Sequence, residues 1–250
     1  MKYNIKKVSN ICEIENIYSN FIKYSPQKNI FCSQEILEFF FNELDLFTIN
    51  KNDEIKSFVY LIKDNNNFII SEPLIYSGII NHPKLNMKSA RYNHEVFKLN
   101  ELIINEILSK YTHVNINLPL NFFDTRPFLW FNYGVENKKK FLVTPCYTSI
   151  INIKSRDKDN IFNQIDDVKK RDIKKVLCDN NYIVSNQVNL NLIKKFYQDT
   201  MKMNKGTFNI NAFNRVFDFI EKQSKKDFVI QKTVYYLEKP LYSVLFLNDD

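Results

Sequence analysis

Apolar and polar residues alternate twice along this chain in the manner of β-hairpins. "LDLFTIN" (44–50) and "IKSFVYLIK" (55–63) flank the polar turn "KNDE"; "DFVIQKTVYYL" (227–237) and "PLYSVLFL" (240–247) flank "EK". Ahead of each hairpin the apolar spacing changes to the helical period. In the first half Ile14, Ile17, Tyr18, Phe21 and Ile22 form one stripe. A second helix, with Ser33 as its N-cap, carries Ile36, Leu37, Phe40 and Phe41. In the second half Leu190, Ile193, Phe196, Tyr197 and Met201 form a stripe, and Asn211 is placed to cap a helix carrying Phe213, Val216, Phe217 and Ile220. A short strand opens each half, "YNIKKVS" (3–9) and "NYIVSNQ" (181–187). The order strand, helix, helix, hairpin therefore occurs twice, which points to internal duplication.

Between the two copies the pattern predicts a strand over "NFIISEPLI" (67–75), a helix near 96–110 and a strand over "HVNINLP" (113–119). A strand over "PCYTSIINI" (145–153) and one long helix over 157–178 follow, the helix spanning roughly 30 Å at 1.5 Å per residue. The second copy ends at Asp250 directly after its hairpin, without the strand, helix and strand that extend the first. Its outer arm would leave an open edge, and the expectation is a second lobe lacking its C-terminal part.

Composition narrows the chemistry. Of 250 residues, 22 are Phe and 14 Tyr, enough for a sizeable core. Only 3 are glycines, and none begins a GxGxxG or GxxxxGK[ST] pattern, which argues against Rossmann and P-loop phosphate cradles. Cys12, Cys32, Cys146 and Cys178 lack a CxxC, and His82, His94 and His113 lack ligand spacing, so reduced thiols and no metal are expected. Apolar runs such as "ILEFFF" are too short to span a bilayer, and "MKYNIKKVSN" is no signal peptide; a cytoplasmic protein is expected.

The net charge is +7, with its densest cluster in "DDVKKRDIKKV" (166–176), where Lys169, Lys170, Arg171, Lys174 and Lys175 share the middle of the long helix. By itself this stretch fits a solvated face, a nucleic-acid grip or a seat for an anionic cofactor. Lys170 and Lys174 share a face, as do Arg171 and Lys175, while Ile173 and Val176 are expected to point inward. The interspersed acids and the lack of an aromatic stacking platform argue against nucleic acid.

Four stretches, "SEPLIYSG" (71–78), "PFLWFNYG" with "TPCYTSIINI", "VKKRDIKKV" and "LIKKFYQDTMKMNKG…FNRVF", make the chain resemble the FemAB-like, CelD/BioF2-like branch of the GNAT (acyl-CoA N-acyltransferase) superfamily. The resemblance runs from about Ser33 to Asp250. It implies an α/β (α+β) fold of two tandem GNAT-like lobes, residues 1–145 and 146–250, each a mixed, mostly antiparallel sheet flanked by helices. In this family a helix marked R-x-x-I-[RK]-[RK]-A follows a strand. Here Arg171 takes the first basic place, Ile173, Lys174 and Lys175 stand one residue out of step, and Val176 replaces the commoner Ala. The family's Q/R-x-x-G-x-G/A turn, which holds the CoA pyrophosphate, has no counterpart in the chain.

The resemblance implies an N-acyltransferase that moves an acyl group, acetyl above all, from acyl-CoA to an amine of an amino sugar or cell-envelope precursor. Arg171, Lys174 and Lys175 would meet the cofactor; Tyr76, Trp130, Tyr147, Lys205 and Asn209 would line the acceptor side. For Trp130 and Tyr147 the residue pattern alone reads as packing, and for Lys205 and Asn209 as ordinary loop polarity. Two alternatives stay open: an aminoacyl-tRNA-dependent Fem-type transferase, and a non-catalytic binding protein with the same fold. No catalytic residue is legible.

Overall fold

The computed structural model describes residues 3–84, 88–122, 124–148, 158–203, 210–223 and 228–248. It is a mixed α/β protein. Two compact units divide the chain, one of residues 1–143, 211–219 and 249–250, the other of residues 144–210 and 220–248.

In the first unit β1 (Asn4–Lys7) leads to α1 (Cys12–Asn20) and α2 (Gln34–Phe39). The Ser33 side chain accepts from the Ile36 amide, as an N-cap should, while Phe40 and Phe41 fall just beyond the helix. The expected hairpin follows as β2 (Leu44–Lys51) and β3 (Glu54–Lys63), antiparallel through Leu44↔Ile62 to Lys51↔Glu54. Asn52 and Asp53 turn it with positive φ, 51° and 63°, a conformation these two residue types tolerate. β1 lies antiparallel on the other side of β2.

The strand expected over 67–75 is present only as β4 (Ile69–Ile70), and the pairing with β3 resumes at β5 (Gly78–Asn81). Ile62 faces Ile70 and Tyr60 faces Gly78, so residues 71–77 loop out of a strand position that β3 would otherwise pair continuously. The Glu72–Pro73 peptide inside this excursion is cis. The strand expected over 113–119 is absent apart from a single bridge at Val114. The segment touches the sheet through this parallel bridge, Ile69↔Val114, and through Ser77 N–H donating to the Asn117 carbonyl at 2.9 Å.

Helix α3 (Ser89–Glu106) starts seven residues before the expected 96, because its first turns are polar, "SARYNHE", and show no apolar stripe. Its apolar face seals one side of the sheet: Leu99, Ile103 and Ile104 pack with Ile49, Val59, Leu61, Ile69 and Ile79. By strand alternation Phe58, Tyr60 and Ile62 point to the other side, and they are fully buried as well. A sheet buried on both faces explains why β3 reads as a continuous apolar run in its second half. Helix α4 (Arg126–Trp130) follows, with Pro127 in its first turn.

In the second unit the single long helix expected over 157–178 is two: α5 (Lys158–Asn163) and α6 (Asp167–Cys178). Asp166 breaks the path with ψ 141° and accepts from the Val168 amide at 2.8 Å, capping α6. No strand forms over 145–148; the rest of that expected strand lies outside the described residues. β6 (Tyr182–Ser185), α7 (Leu190–Met203), β7 (Val229–Tyr236) and β8 (Lys239–Leu247) follow in this unit, while α8 (Ile210–Gln223) is counted with the first unit over residues 211–219. Asn211 lies inside α8 rather than capping it.

β6, β7 and β8 form an antiparallel sheet in that order. Its inner face carries Val229, Gln231 and Thr233, all buried. The Gln231 side-chain amide donates to Thr233 and Ser243, and its carbonyl accepts from the Asn189 amide at the start of α7. On the outer face Val184, Ile230, Tyr242 and Phe246 are exposed. Leu237 and Glu238 form the turn, again with positive φ, 46° and 64°.

Candidate functional site

The basic helix presents its cations to solvent. Arg171, Lys174 and Lys175 are exposed, and α6 has no buried residue. Val176, expected to point inward, is 37% exposed, and Leu177 78%, although Ile173, Val176 and Leu177 share one face at helical spacing. Lys170 pairs with Asp167 at 3.0 Å, one turn back, and Lys174 stands 6.0 Å from the centroid of the Phe162 ring. Arg171 and Lys175 share a face and fit side-chain contact with a diphosphate. The N-terminus of α6 does not fit one, because Asp166 and Asp167 already set carboxylates against its free amides. The start of α3 has the opposite polarity: no side chain caps it, its first turn holds no acid, and Lys84, Lys88 and Arg91 surround it.

Of the expected acceptor residues, Tyr76, Trp130 and Tyr147 lie among the described residues. Tyr76 sits on the 71–77 excursion, half-buried, with its ring edge-on to Phe31 at 5.9 Å. Gly78 closes the excursion at φ 109°, and a Cβ there would stand 3.3 Å from the Leu118 side chain. Trp130, read from its apolar neighbours as core, is 57% exposed. It lies edge-on to Phe97, with the Arg126 guanidinium above both rings and held by Asp124 in a two-pronged pair. Tyr147 is 94% exposed and in no strand. Lys205 and Asn209 lie outside the described residues.

Three buried polar groupings of the first unit were not legible as such. In the first, Asn81 accepts from Ser57 Oγ at 2.6 Å and donates towards Asn100 at 3.4 Å, while its backbone is held by Gln27 and Ser25. In the second, Asp45 takes Lys7 at 2.7 Å, Lys63 at 3.2 Å and the Tyr111 hydroxyl at 2.7 Å. Burial alone would raise the Asp45 carboxyl, but the bonds from Lys7, Tyr111 and Lys63 outweigh it and hold the group below its usual range. In the third, Glu95 of α3 accepts from Lys51 at 2.9 Å and Tyr3 at 3.3 Å, and His82 lies 3.7 Å from its other oxygen. Burial is the largest influence on Glu95 and opposes ionisation, yet Lys51, His82 and Tyr3 keep its carboxyl below the ordinary value. Among the described residues no group of three His, Cys, Asp or Glu side chains is placed to hold a metal ion, and no helix is long and apolar enough to cross a membrane.

Searches against family models, curated proteins and solved structures find no match to this chain.

Proposed function

We propose that the chain is an N-acyltransferase of the FemAB-like, CelD/BioF2-like kind, built of two GNAT-like lobes. It would move an acyl group, acetyl above all, from acyl-CoA to an amine on an amino sugar or cell-envelope precursor. The observation that carries this reading is the repeat: β1-α1-α2-β2-β3 and β6-α7-α8-β7-β8 share the same order, with antiparallel pairing of first to second and second to third strand in both.

An acyl-CoA supplies an activated carbonyl, so the protein's part is to hold donor and amine together and to place donors near the carbonyl oxygen. Arg171, Lys174 and Lys175 are the residues offered to its phosphates, and Tyr76 the hydroxyl offered to the acceptor. The test is thermal stabilisation by acetyl-CoA, CoA and uncharged tRNA, followed by release of free thiol with amino-sugar acceptors. Stabilisation by acetyl-CoA with acceptor-dependent thiol release is expected. Stabilisation by tRNA alone moves the reading to an aminoacyl-tRNA-dependent transferase. Stabilisation without turnover makes the chain a binding protein of the same fold, and no shift with any of the three overturns a donor site.

A further inference from the structure

His82 is buried, 5% exposed, where β5 gives way to the segment leading into α3. Its backbone is fixed on both sides: the amide donates to the Lys56 carbonyl at 3.0 Å, and the carbonyl accepts from the Tyr92 hydroxyl at 2.9 Å. Its ring Nδ1 lies 2.9 Å from the Pro83 carbonyl. A carbonyl oxygen only accepts, so Nδ1 carries the hydrogen and the neutral ring presents a lone pair at Nε2. That Nε2 has no hydrogen-bond partner among the described residues and faces Glu95 Oε2 at 3.7 Å. The neutral ring therefore sets a lone pair opposite a carboxylate; the protonated ring would set an N–H there.

The surroundings divide the carboxylate between two claims. From β2, Lys51 holds Glu95 Oε1, and Tyr3, just before β1, holds the same oxygen. From α3 come Glu95 itself and the Tyr92 ring, edge-on to His82 at 5.3 Å. From β3, Lys56 disfavours a second positive charge and Glu54 favours it, both at longer range. Burial works against the charged ring, and Glu95 is the chief group favouring it.

We infer that His82 is a proton-driven switch on the second oxygen of Glu95: with His82 neutral only Oε1 is held, by Lys51 and Tyr3, and with His82 protonated Oε2 also closes on Nε2. Acidification then adds a tie from α3 to the β5–α3 connection beside the one at the β1–β2 edge. The inference is independent of the acyltransferase reading.

The test is nitrogen NMR of the imidazole in the full-length, isotopically labelled protein across pH 5 to 8. The Nδ1–H tautomer is expected for neutral His82, with the backbone amides of Tyr3 and Lys51 shifting at the same midpoint as the ring. Glu95→Gln removes the facing charge and should lower the midpoint by about one pH unit or more. An Nε2–H tautomer in the unmodified protein overturns the inference, whatever the folding of the variant. So does a midpoint unchanged by Glu95→Gln, or coupled amide shifts that persist in His82→Gln.

Discussion

The Tyr111 hydroxyl donates to the Asp45 carboxylate at 2.7 Å across 66 positions of sequence. This tie joins the segment after α3 to the first residues of β2, and Lys7 and Lys63 complete the ligation of the same carboxylate. Burial and the Asp45 charge both push the Tyr111 hydroxyl well above its ordinary range, so it remains a donor throughout the working pH range. Tyr111→Phe should cost about 1.5–3 kcal/mol, the usual worth of a hydrogen bond to a charged group, measured by denaturant unfolding.

Asp45 also sets a pH dependence. Its carboxyl is depressed in the folded chain, so its contribution is fully present above the unfolded value of about 4 and is lost as pH falls through the folded value. Asp45→Asn should be less stable at neutral pH and should flatten the loss of stability below about pH 4. Urea midpoints measured from pH 2 to 7 would show both effects.

Asn81 is the hub of the buried network that joins β5 to β3, α3 and the 25–27 turn. Asn81→Leu leaves Ser57 Oγ and Asn100 without their partner. A loss of about 1–3 kcal/mol is expected in chemical denaturation, far more than Asn66→Leu on the exposed turn before β4.

Gly78 closes the 71–77 excursion in a backbone conformation that residues with a Cβ rarely adopt. Gly78→Ala combines that strain with a tight approach to Leu118 and Ile116 and should destabilise the first unit by about 1–3 kcal/mol. Gly134→Ala, whose Cβ meets nothing within 4 Å, carries only the backbone penalty and should cost less. Parallel thermal melts decide between the two.

Arg171 is exposed and contributes little to the fold, so Arg171→Ala should leave stability within about 0.5 kcal/mol of the parent. If the proposed donor site is correct, the same change weakens acetyl-CoA binding about tenfold or more in titration calorimetry. Unchanged affinity would move the phosphate contacts elsewhere.

The elements that were legible are those with a strong local signal: an apolar run beside a polar turn, a helical stripe or a cap. β2 and β3 are apolar runs on either side of a polar turn, α1 and α2 carry apolar stripes, and Ser33 caps as its type suggests. β5 was missed because "GIIN" is only four residues long and is set off from β4 by the 71–77 excursion. Segment 113–117 alternates well but forms a single bridge, since alternation reports a half-buried backbone and not who its partner is. The break at Asp166 hid inside a helical composition, where an Asp read as a charge was also a cap. The polar groupings were invisible for a different reason. Tyr3, Lys51, His82 and Glu95 meet only through the pairing of β1, β2, β3 and β5 and the docking of α3, so no local spacing announces them.

The two hairpin turns share left-handed backbone at both central positions but not the residues suited to it. Asn52 and Asp53 adopt it readily, whereas Leu237 and Glu238 each give up about 1 kcal/mol or more. That difference bears on the order of events during folding. The first hairpin can close on its own within microseconds, while the second must wait for strand contacts to outweigh a reluctant turn. Refolding of the β7–β8 region should therefore trail that of β2–β3, and Asn-Gly in place of Leu237-Glu238 should remove the lag.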